Sequence, residues 1–225
     1  MNTDMSTIER ALLDARVVAV VRHARADAAA AIARACVAGG LRAIEVTLTT
    51  PDAHRLVAEL HDELGAEVLV GAGTILRADQ VGAIVAAGAR FLVAPITDEA
   101  ALDAGREAGV VTIPGGMTPT EIAAAHARGA RIVKLFPAGQ LGPGFARAIR
   151  DVLPGVALMP TGGVGEADVA AWLDAGAGAV GIGSQLNRAL ADGGPAAVEA
   201  LATRLATHVA SAGDTAAPAS DRSPT

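Results

Sequence analysis

The chain contains a single lysine, Lys134, and this lysine lies in an apolar run, RIVKLFPAGQ, at residues 131–140. Every other member of its 18 lysines and arginines is an arginine. A neutral lysine amine can attack a ketone and form a Schiff base, whereas a guanidinium cannot. The sequence therefore predicts that Lys134 is a covalent nucleophile.

One acidic residue, Glu45, also lies inside a strand pattern, RAIEVTL. Because side chains alternate between the two faces of a strand, Glu45 shares the face opposite Ile44 and Val46. The same alternation places Lys134 on the face of Phe136, and we expect both charged groups to point inward. This arrangement predicts that Glu45 transfers protons next to the lysine. The alternative interpretation is a structural ion pair.

Three glycine-containing segments follow strand patterns. PTGGV contributes Gly162 and Gly163, and VGIGS contributes Gly183 and Ser184. Glycine lets a backbone approach a ligand closely, and helix N-termini bind anions, so these two loops predict a phosphate site. The alternative is ordinary turn chemistry. In GAGT, the hydroxyl of Thr74 is a candidate ligand for a substrate carboxylate, or else an N-cap in a tight turn.

A repeated pattern of helix, glycine and apolar strand must position these residues, as in AGGLRAIEV and ARGARIVKLF. We place strands near 17–22, 42–48, 67–72, 90–94, 110–113, 131–136, 156–160 and 179–183, with helices between them. Further helices are predicted near 5–15 and 195–211. Eight such units predict an α/β fold, a (β/α)8 TIM barrel with an extra N-terminal helix. The alternative is an open doubly wound sheet, but no glycine-rich fingerprint follows the first strand.

Two Thr-Pro pairs predict where helices begin. Thr50 and Pro51 are expected at the N-cap and first position of one helix. Thr118 and Pro119 are expected in the same positions of another helix, where Glu121 completes a capping box.

In a barrel of this kind, the C-terminal strand ends and the loops after them form the active site. This rule adds four candidate substrate-binding residues to Thr74: Arg22, Pro95, Phe136 and Thr161. The five histidines are scattered, and no carboxylate cage is evident, so no metal site is predicted.

Composition excludes several classes of protein. The net charge of −6 disfavours nucleic-acid binding. No unbroken apolar stretch is long enough for a membrane span and no signal peptide is evident, so we expect a cytoplasmic protein. The single cysteine, Cys36, is expected to be a buried small residue. Residues 1–211 are predicted to form one domain, and the polar segment 212–225 a disordered tail.

The order of GGLRAIEVTLTTP, GAGT, IPGGMTPTE, VKLFPA, PTGGV and VGIGS resembles the bacterial KDPG/KHG aldolases. These class I enzymes cleave 2-keto-3-deoxy-6-phosphogluconate (KDPG) and 4-hydroxy-2-oxoglutarate (KHG). The resemblance covers about residues 7–210. It implies a metal-free, cofactor-free homotrimer that forms a covalent Schiff base with a small 2-keto acid.

By motif, the resemblance implies that Lys134 is the Schiff-base lysine and Glu45 the acid/base glutamate. The residues that match its phosphate loops are Gly162, Gly163, Gly183 and Ser184. Many members carry an arginine four residues after the glutamate, where this chain has Thr49. Arg22 is our candidate replacement for binding the substrate carboxylate. The function implied is reversible cleavage of KDPG to pyruvate and glyceraldehyde 3-phosphate. The alternatives are the same chemistry on KHG or on the galactonate epimer of KDPG, and a phosphosugar isomerase or phosphate-binding barrel without Schiff-base chemistry.

Overall fold

The computed structural model describes residues 5–213, in which strands and helices alternate. The strands are β1 (Val17–Val21), β2 (Ala43–Thr47), β3 (Leu69–Gly73), β4 (Phe91–Val93), β5 (Val111–Ile113), β6 (Gly115–Gly116), β7 (Ile132–Leu135), β8 (Ala157–Pro160) and β9 (Val180–Ile182). The helices are α1 (Met5–Ala15), α2 (Ala26–Ala38), α3 (Ala53–Leu64), α4 (Val81–Ala86), α5 (Glu99–Glu107), α6 (Pro119–Ala127), α7 (Pro143–Val152), α8 (Val169–Asp174) and α9 (Ser184–Gly213).

The strands form two parallel sheets. One has the order β5-β4-β3-β2-β1-β9, and the other has the order β6-β7-β8. All the paired strands run parallel, and a helix lies between most strands that follow each other along the chain. The predicted α/β class with parallel strands is confirmed. The strand predicted near 110–113 corresponds to β5. The two-residue strand β6 was not predicted, and it is separated from β5 by Pro114, which has no N–H to donate to a ladder.

The predicted alternation of side chains divides the buried residues into two clusters. Ile44, Val46 and Leu135 belong to the larger cluster, which lies between the strands and the helices. The smaller cluster lies on the other face of the strands and includes Ala43 and Ile132. This second face is the one that also bears Glu45 and Lys134.

Helix α1 covers the inner cluster at the N-terminal ends of the strands. Its buried residues, Ile8 and Leu12, pack with Val18, Leu69 and Phe91 of three different strands. Burying two such side chains stabilises the fold by roughly 3–6 kcal/mol. The helix has the bounds 5–15 that the sequence predicts, and it closes this end of the inner face against water.

The two predicted helix starts have different outcomes. Thr118 accepts a hydrogen bond from the N–H of Glu121, and the carboxylate of Glu121 accepts one from the N–H of Thr118, so the capping box of α6 is confirmed. The start of α3 was predicted wrongly. Its N-cap is Asp52, because the Thr50 hydroxyl is buried 3.3 Å from that of Thr47.

The C-terminal helix is interrupted once. Gly193 and Gly194 have non-helical backbone angles, and the part that follows them matches the helix predicted at 195–211. Residues 212 and 213 of the predicted tail are the last of α9, and the rest of that tail lies outside the described residues. Cys36 is buried as expected, and burial raises the pKa of its thiol to about 12. In the described part of the chain, none of the helices is long and apolar enough to cross a membrane.

Candidate active site

The two charged groups predicted to face inward come together in the structure. Glu45 lies in β2 and Lys134 in β7, and their side chains are 1% and 5% exposed. The Nζ atom of Lys134 lies 3.8 Å from Oε1 of Glu45, which is an ion-pair distance but too long for a hydrogen bond. Nζ also lies 5.3 Å from the centre of the Phe136 ring, a distance at which a cation and an aromatic face attract each other.

The carboxyl group of Glu45 is held in an environment that favours its protonated form. Burial raises its pKa, and the positive charges of Lys134 and Arg22 oppose that rise only in part. Its Oε2 atom is buried and has no hydrogen-bond partner among the described residues. A raised pKa makes a carboxylate a stronger base, which suits a group that must accept a proton and later return it.

Gly73, on the neighbouring strand β3, provides the space for this carboxyl group. A Cβ at this position would overlap Oε1 and the carboxyl carbon of Glu45. Since β2 and β3 pair with Thr47 opposite Gly73, the glycine lies beside the end of the strand that carries Glu45. The second glycine of GAGT is therefore required by packing around Glu45.

Arg22 and Thr74 meet although they are 52 positions apart. Each directly follows its strand, β1 or β3, and the Nη2 atom of Arg22 lies 3.5 Å from Oγ1 of Thr74. Thr74 has a φ of 63°, which is uncommon for a β-branched residue. Strained backbone of this type is concentrated at functional sites. The N-cap alternative for this threonine is not observed, since the short helical turn that follows is capped at Arg77.

A cavity of about 220 Å³ opens beside Lys134. Arg22 at the end of β1 contributes to its wall, and so do residues that follow β7, β8 and β9. Its lining comprises Val20, Arg22, Lys134, Phe136, Thr161, Gly162, Gly163, Val164, Gly183, Ser184 and Asn187. Most of the predicted site residues are thus brought to one cavity. Of the others, Glu45 and Thr74 contact its lining, whereas Pro95 is half-buried and is not brought to the cavity.

The two predicted phosphate loops lie side by side in this wall. Gly162 and Gly163 have φ angles of 82° and 79°, and a Cβ at Gly162 would lie 2.8 Å from the Phe136 ring. Ser184 is the first residue of α9, so the unpaired N–H groups of that helix and the positive end of its dipole lie at this wall. The loops and the start of this helix are therefore suited to bind an anion.

Two larger clefts, of about 470 Å³ each, lie at the opposite ends of the strands. One is lined by residues such as Ala66, Arg90 and Val110, which precede β3, β4 and β5. Neither contains a buried pair of ionisable groups, so the smaller cavity is the better candidate for catalysis. Across residues 5–213, no three His, Cys, Asp or Glu side chains are grouped so that they could hold a metal ion.

Asn187, which is not among the site residues predicted from the sequence, also lines the cavity. Its Nδ2 atom donates a 2.8 Å hydrogen bond to the backbone carbonyl of Arg22. The sequence feature that could have indicated Asn187 is its position three residues after Ser184, in the first turn of α9. That signal says nothing about the contact, because Arg22 lies 165 positions away.

Comparison with known protein families identifies the class of protein to which this site belongs. The sequence profile described as "Aldolase: KDPG and KHG aldolase" matches residues 8–201, which is most of the chain. The chain belongs to the KDPG and KHG aldolase family. The resemblance inferred from the sequence motifs is confirmed.

Individual aldolases of the family are similar over most of their length. A probable 2-dehydro-3-deoxy-6-phosphogalactonate aldolase of Rhizobium meliloti is 36% identical over 83% of this chain and 88% of its own. A 2-dehydro-3-deoxy-phosphogluconate aldolase of Treponema pallidum is 39% identical over 71% and 76% of the two chains. Among solved structures, a KDPG aldolase from Legionella pneumophila, with pyruvate captured as a covalent carbinolamine, has a TM-score of 0.79 at 29% identity, covering 91% and 99%.

The residue four positions after Glu45 differs from the one that the family resemblance implies. Thr49, the position where the resemblance leads us to expect an arginine, is exposed and pairs its hydroxyl with that of Thr47 at 3.0 Å. A guanidinium that does act on this pair is that of Arg22, whose positive charge lowers the pKa of Glu45.

Proposed function

We propose that this KDPG/KHG aldolase cleaves KDPG reversibly to pyruvate and glyceraldehyde 3-phosphate through a Schiff base on Lys134. The buried Lys134–Glu45 pair beside the cavity carries the proposal. The neutral amine of Lys134 attacks the C2 ketone and forms a carbinolamine, and loss of water then leaves an iminium ion. Among the described residues, Lys134 is the one lysine, so an imine can form on a lysine side chain only there.

Glu45 carries the protons in the following steps. It removes the proton of the C4 hydroxyl, the C3–C4 bond breaks, and the bonding electrons move into the iminium to give an enamine. Glyceraldehyde 3-phosphate then leaves. Glu45 returns its proton to C3 of the enamine, and water hydrolyses the resulting iminium to release pyruvate and the free lysine.

The geometry favours this role over the alternative, a structural ion pair. A buried pair stabilises a fold only when good hydrogen bonds satisfy both charges. Here the two groups are 3.8 Å apart, and Oε2 of Glu45 has no described partner. An arginine also forms the better fork for a structural carboxylate, and this chain uses arginine everywhere else.

The cavity wall has suitable groups for both ends of the substrate. The two glycine loops and the start of α9 would bind the phosphate of the leaving half. Arg22 would pair with the carboxylate of the pyruvate half, and the Thr74 hydroxyl would hold that guanidinium in place. Binding both ends fixes the reacting carbons beside Lys134, which lowers the entropic part of the barrier.

Borohydride trapping tests the proposal. Reduction in the presence of pyruvate is expected to add one pyruvate-derived group to Lys134, identified by peptide mass spectrometry. Lys134→Arg keeps the charge but removes the nucleophile, so it should prevent labelling and lower kcat by more than about 10³-fold. An unlabelled wild-type protein at saturating pyruvate would contradict the Schiff-base mechanism, and an active Lys134→Arg variant would favour the ion pair.

A second candidate substrate is the galactonate epimer of KDPG. This candidate is favoured by the similarity to the Rhizobium meliloti protein, which is named as a probable aldolase of that epimer. The two compounds differ only at C4, where Glu45 is proposed to act. Comparing kcat/KM for the two epimers and for KHG decides between them, and KHG, which has no phosphate, also tests the phosphate loops.

We further propose that the strands close into the full (β/α)8 barrel that the sequence predicts. Two contacts support closure. A single residue, Pro114, separates β5 from β6, and its carbonyl accepts a 2.8 Å hydrogen bond from the N–H of Lys134. At the other edge, Thr161 and Gly181 form a parallel bridge between the end of β8 and β9. An experimental structure tests whether these contacts join the two sheets.

We also propose that the protein is a homotrimer, as the family resemblance implies. Two large apolar side chains, Leu76 and Ile96, are 39% and 51% exposed and follow the paired strands β3 and β4. Such a surface is suited to contact with another copy. Light scattering coupled to gel filtration is expected to give three times the chain mass, and Ile96→Glu is expected to reduce it. A wild-type monomer would contradict the proposal.

A further inference from the structure

One amide connects the two walls of the candidate active site. Asn187 lies in the first turn of α9, just past Ser184, and its Nδ2 atom donates a hydrogen bond to the carbonyl of Arg22 at 2.8 Å. Asn187 is half-buried and lines the same cavity as Arg22 and Lys134. It therefore ties the loop proposed for the substrate carboxylate to the helix start proposed for the phosphate.

The backbone at Arg22 lies just beyond the regular hydrogen-bonded sheet. The last residues of β1 in register with its neighbours are Val21, opposite β2, and Ala19, opposite β9. The guanidinium itself is exposed, and its described hydrogen bond, to Thr74, is 3.5 Å long and therefore weak. Of the two described hydrogen bonds that join Arg22 to another residue's side chain, the one from Asn187 is the shorter.

The side-chain amide of Asn187 has one described hydrogen bond, the one that Nδ2 donates to Arg22. Its Oδ1 atom is buried without a partner among the described residues. Exchanging the nitrogen and oxygen of the amide would place two acceptors against each other, which fixes the orientation. An amide that donates to Arg22 while its own buried oxygen is unpaired adds little net stability, which favours a positioning role.

We propose that Asn187 is a positioning residue that fixes the end of β1, so that Arg22 reaches the carboxylate of the bound keto acid. The role of Arg22 in this statement rests on the proposed function. Asn187 itself does not touch the reacting carbons, and its effect on them passes through Arg22.

A double-mutant cycle on pyruvate binding tests this coupling. The measured quantity is the pyruvate concentration that gives half-maximal borohydride labelling of Lys134. Asn187→Ala is expected to raise it about 5-fold, the effect of losing one neutral hydrogen bond. Arg22→Ala is expected to raise it more, because a charge-assisted contact is lost. The double variant should match Arg22→Ala alone, and additive effects would overturn the proposal.

Two controls separate positioning from a general loss of structure. Arg188→Ala changes the next residue of α9, which is exposed and does not line the cavity, and it should leave pyruvate binding unchanged. Asn187→Ser fits the same space but is too short to reach the carbonyl, so it should behave like Asn187→Ala and replaces it if that variant does not fold. An unchanged half-maximal concentration in these Asn187 variants would also refute the proposal.

A measurement without substrate keeps this inference independent of the proposed function. Amide hydrogen exchange in the peptide covering residues 17–25 should be faster in Asn187→Ala than in the wild type, and unchanged in Arg188→Ala. If the wild type is not labelled with pyruvate, the proposed chemistry fails, while the exchange result still decides whether Asn187 holds the end of β1. Equal exchange in the wild type and in Asn187→Ala would show that it does not.

Discussion

Gly73 has no side chain at the one point where the carboxyl group of Glu45 needs the space, since a Cβ there would overlap Oε1 of that group. The glycine lies on β3, and the glutamate lies on the adjacent strand β2. Because Gly73 and Glu45 are both buried, a Cβ at position 73 would force the carboxyl group out of its present place. The position of the proposed proton carrier therefore depends on a residue that does no chemistry.

Gly73→Ala tests this dependence. Displacing Glu45 from its place 3.8 Å from Lys134 is expected to lower kcat by at least about 10²-fold, the usual contribution of a positioned acid or base, and to destabilise the fold by about 1–3 kcal/mol through overpacking. The matched control is Gly82→Ala in α4, where a Cβ meets nothing within 4 Å. That variant should keep full activity and gain roughly 0.5–1 kcal/mol. Steady-state kinetics measures kcat, and urea denaturation measures the free energy of unfolding, for both variants.

Glu45→Gln separates proton transfer from Schiff-base formation. The amide cannot accept the C4 hydroxyl proton, so kcat for cleavage should fall by about 10²–10⁴-fold. Attack of Lys134 on pyruvate needs no proton from C4, so borohydride labelling should persist. If the cleavage rate is unaffected, another group carries the proton.

The raised pKa of Glu45 also predicts how stability depends on pH. The folded chain keeps the carboxyl proton to a higher pH than the unfolded chain, whose carboxyl titrates near the usual 4.5. Between these two pKa values the folded state binds more protons, so this contribution to stability is fully present below 4.5 and is lost as pH rises through the folded pKa. Urea denaturation across this range should show a falling free energy of unfolding that Glu45→Gln flattens. Equal slopes for the two proteins would contradict the raised pKa.

The backbone angle of Thr74 predicts a difference between two substitutions that both remove its hydroxyl. At a φ of 63°, glycine is more favourable than a residue with a Cβ by roughly 1–2 kcal/mol. Thr74→Gly should therefore be more stable than Thr74→Ala in thermal denaturation. Both variants should bind pyruvate more weakly to a similar degree, because both lose the contact with Arg22. A more stable alanine variant would argue against strain at this position.

Ser184→Asp tests the phosphate loops without disturbing the keto-acid end. An acidic residue in the first turn of a helix is favourable for the helix dipole, so α9 should be retained. The added charge should repel a phosphate and raise KM for KDPG by more than about 10-fold. The pyruvate concentration for half-maximal labelling of Lys134 should change little. Equal weakening of both ligands would place the phosphate elsewhere.

The sequence by itself determined which face of the strands carries the candidate catalytic residues and which face packs against the helices. The period of two in RAIEVTL and RIVKLF follows from backbone geometry, so it placed Glu45 and Lys134 on the inner face before any contact was known. The helix at 5–15 and the capping box of α6 are also local properties, and they were predicted with the correct bounds. The motif order was sufficient to indicate the family that the comparisons confirm.

Only the tertiary structure decided how residues from distant strands meet. The 3.8 Å approach of Lys134 to Glu45, the clearance over Gly73 and the 165-residue link between Asn187 and Arg22 all depend on how the strands and the start of α9 pack together. The start of α3 was mispredicted for the same reason, because burial of Thr50 against Thr47 competes with its local preference for an N-cap. Local preferences are set by neighbouring residues, whereas these contacts are set by the packing of the whole sheet.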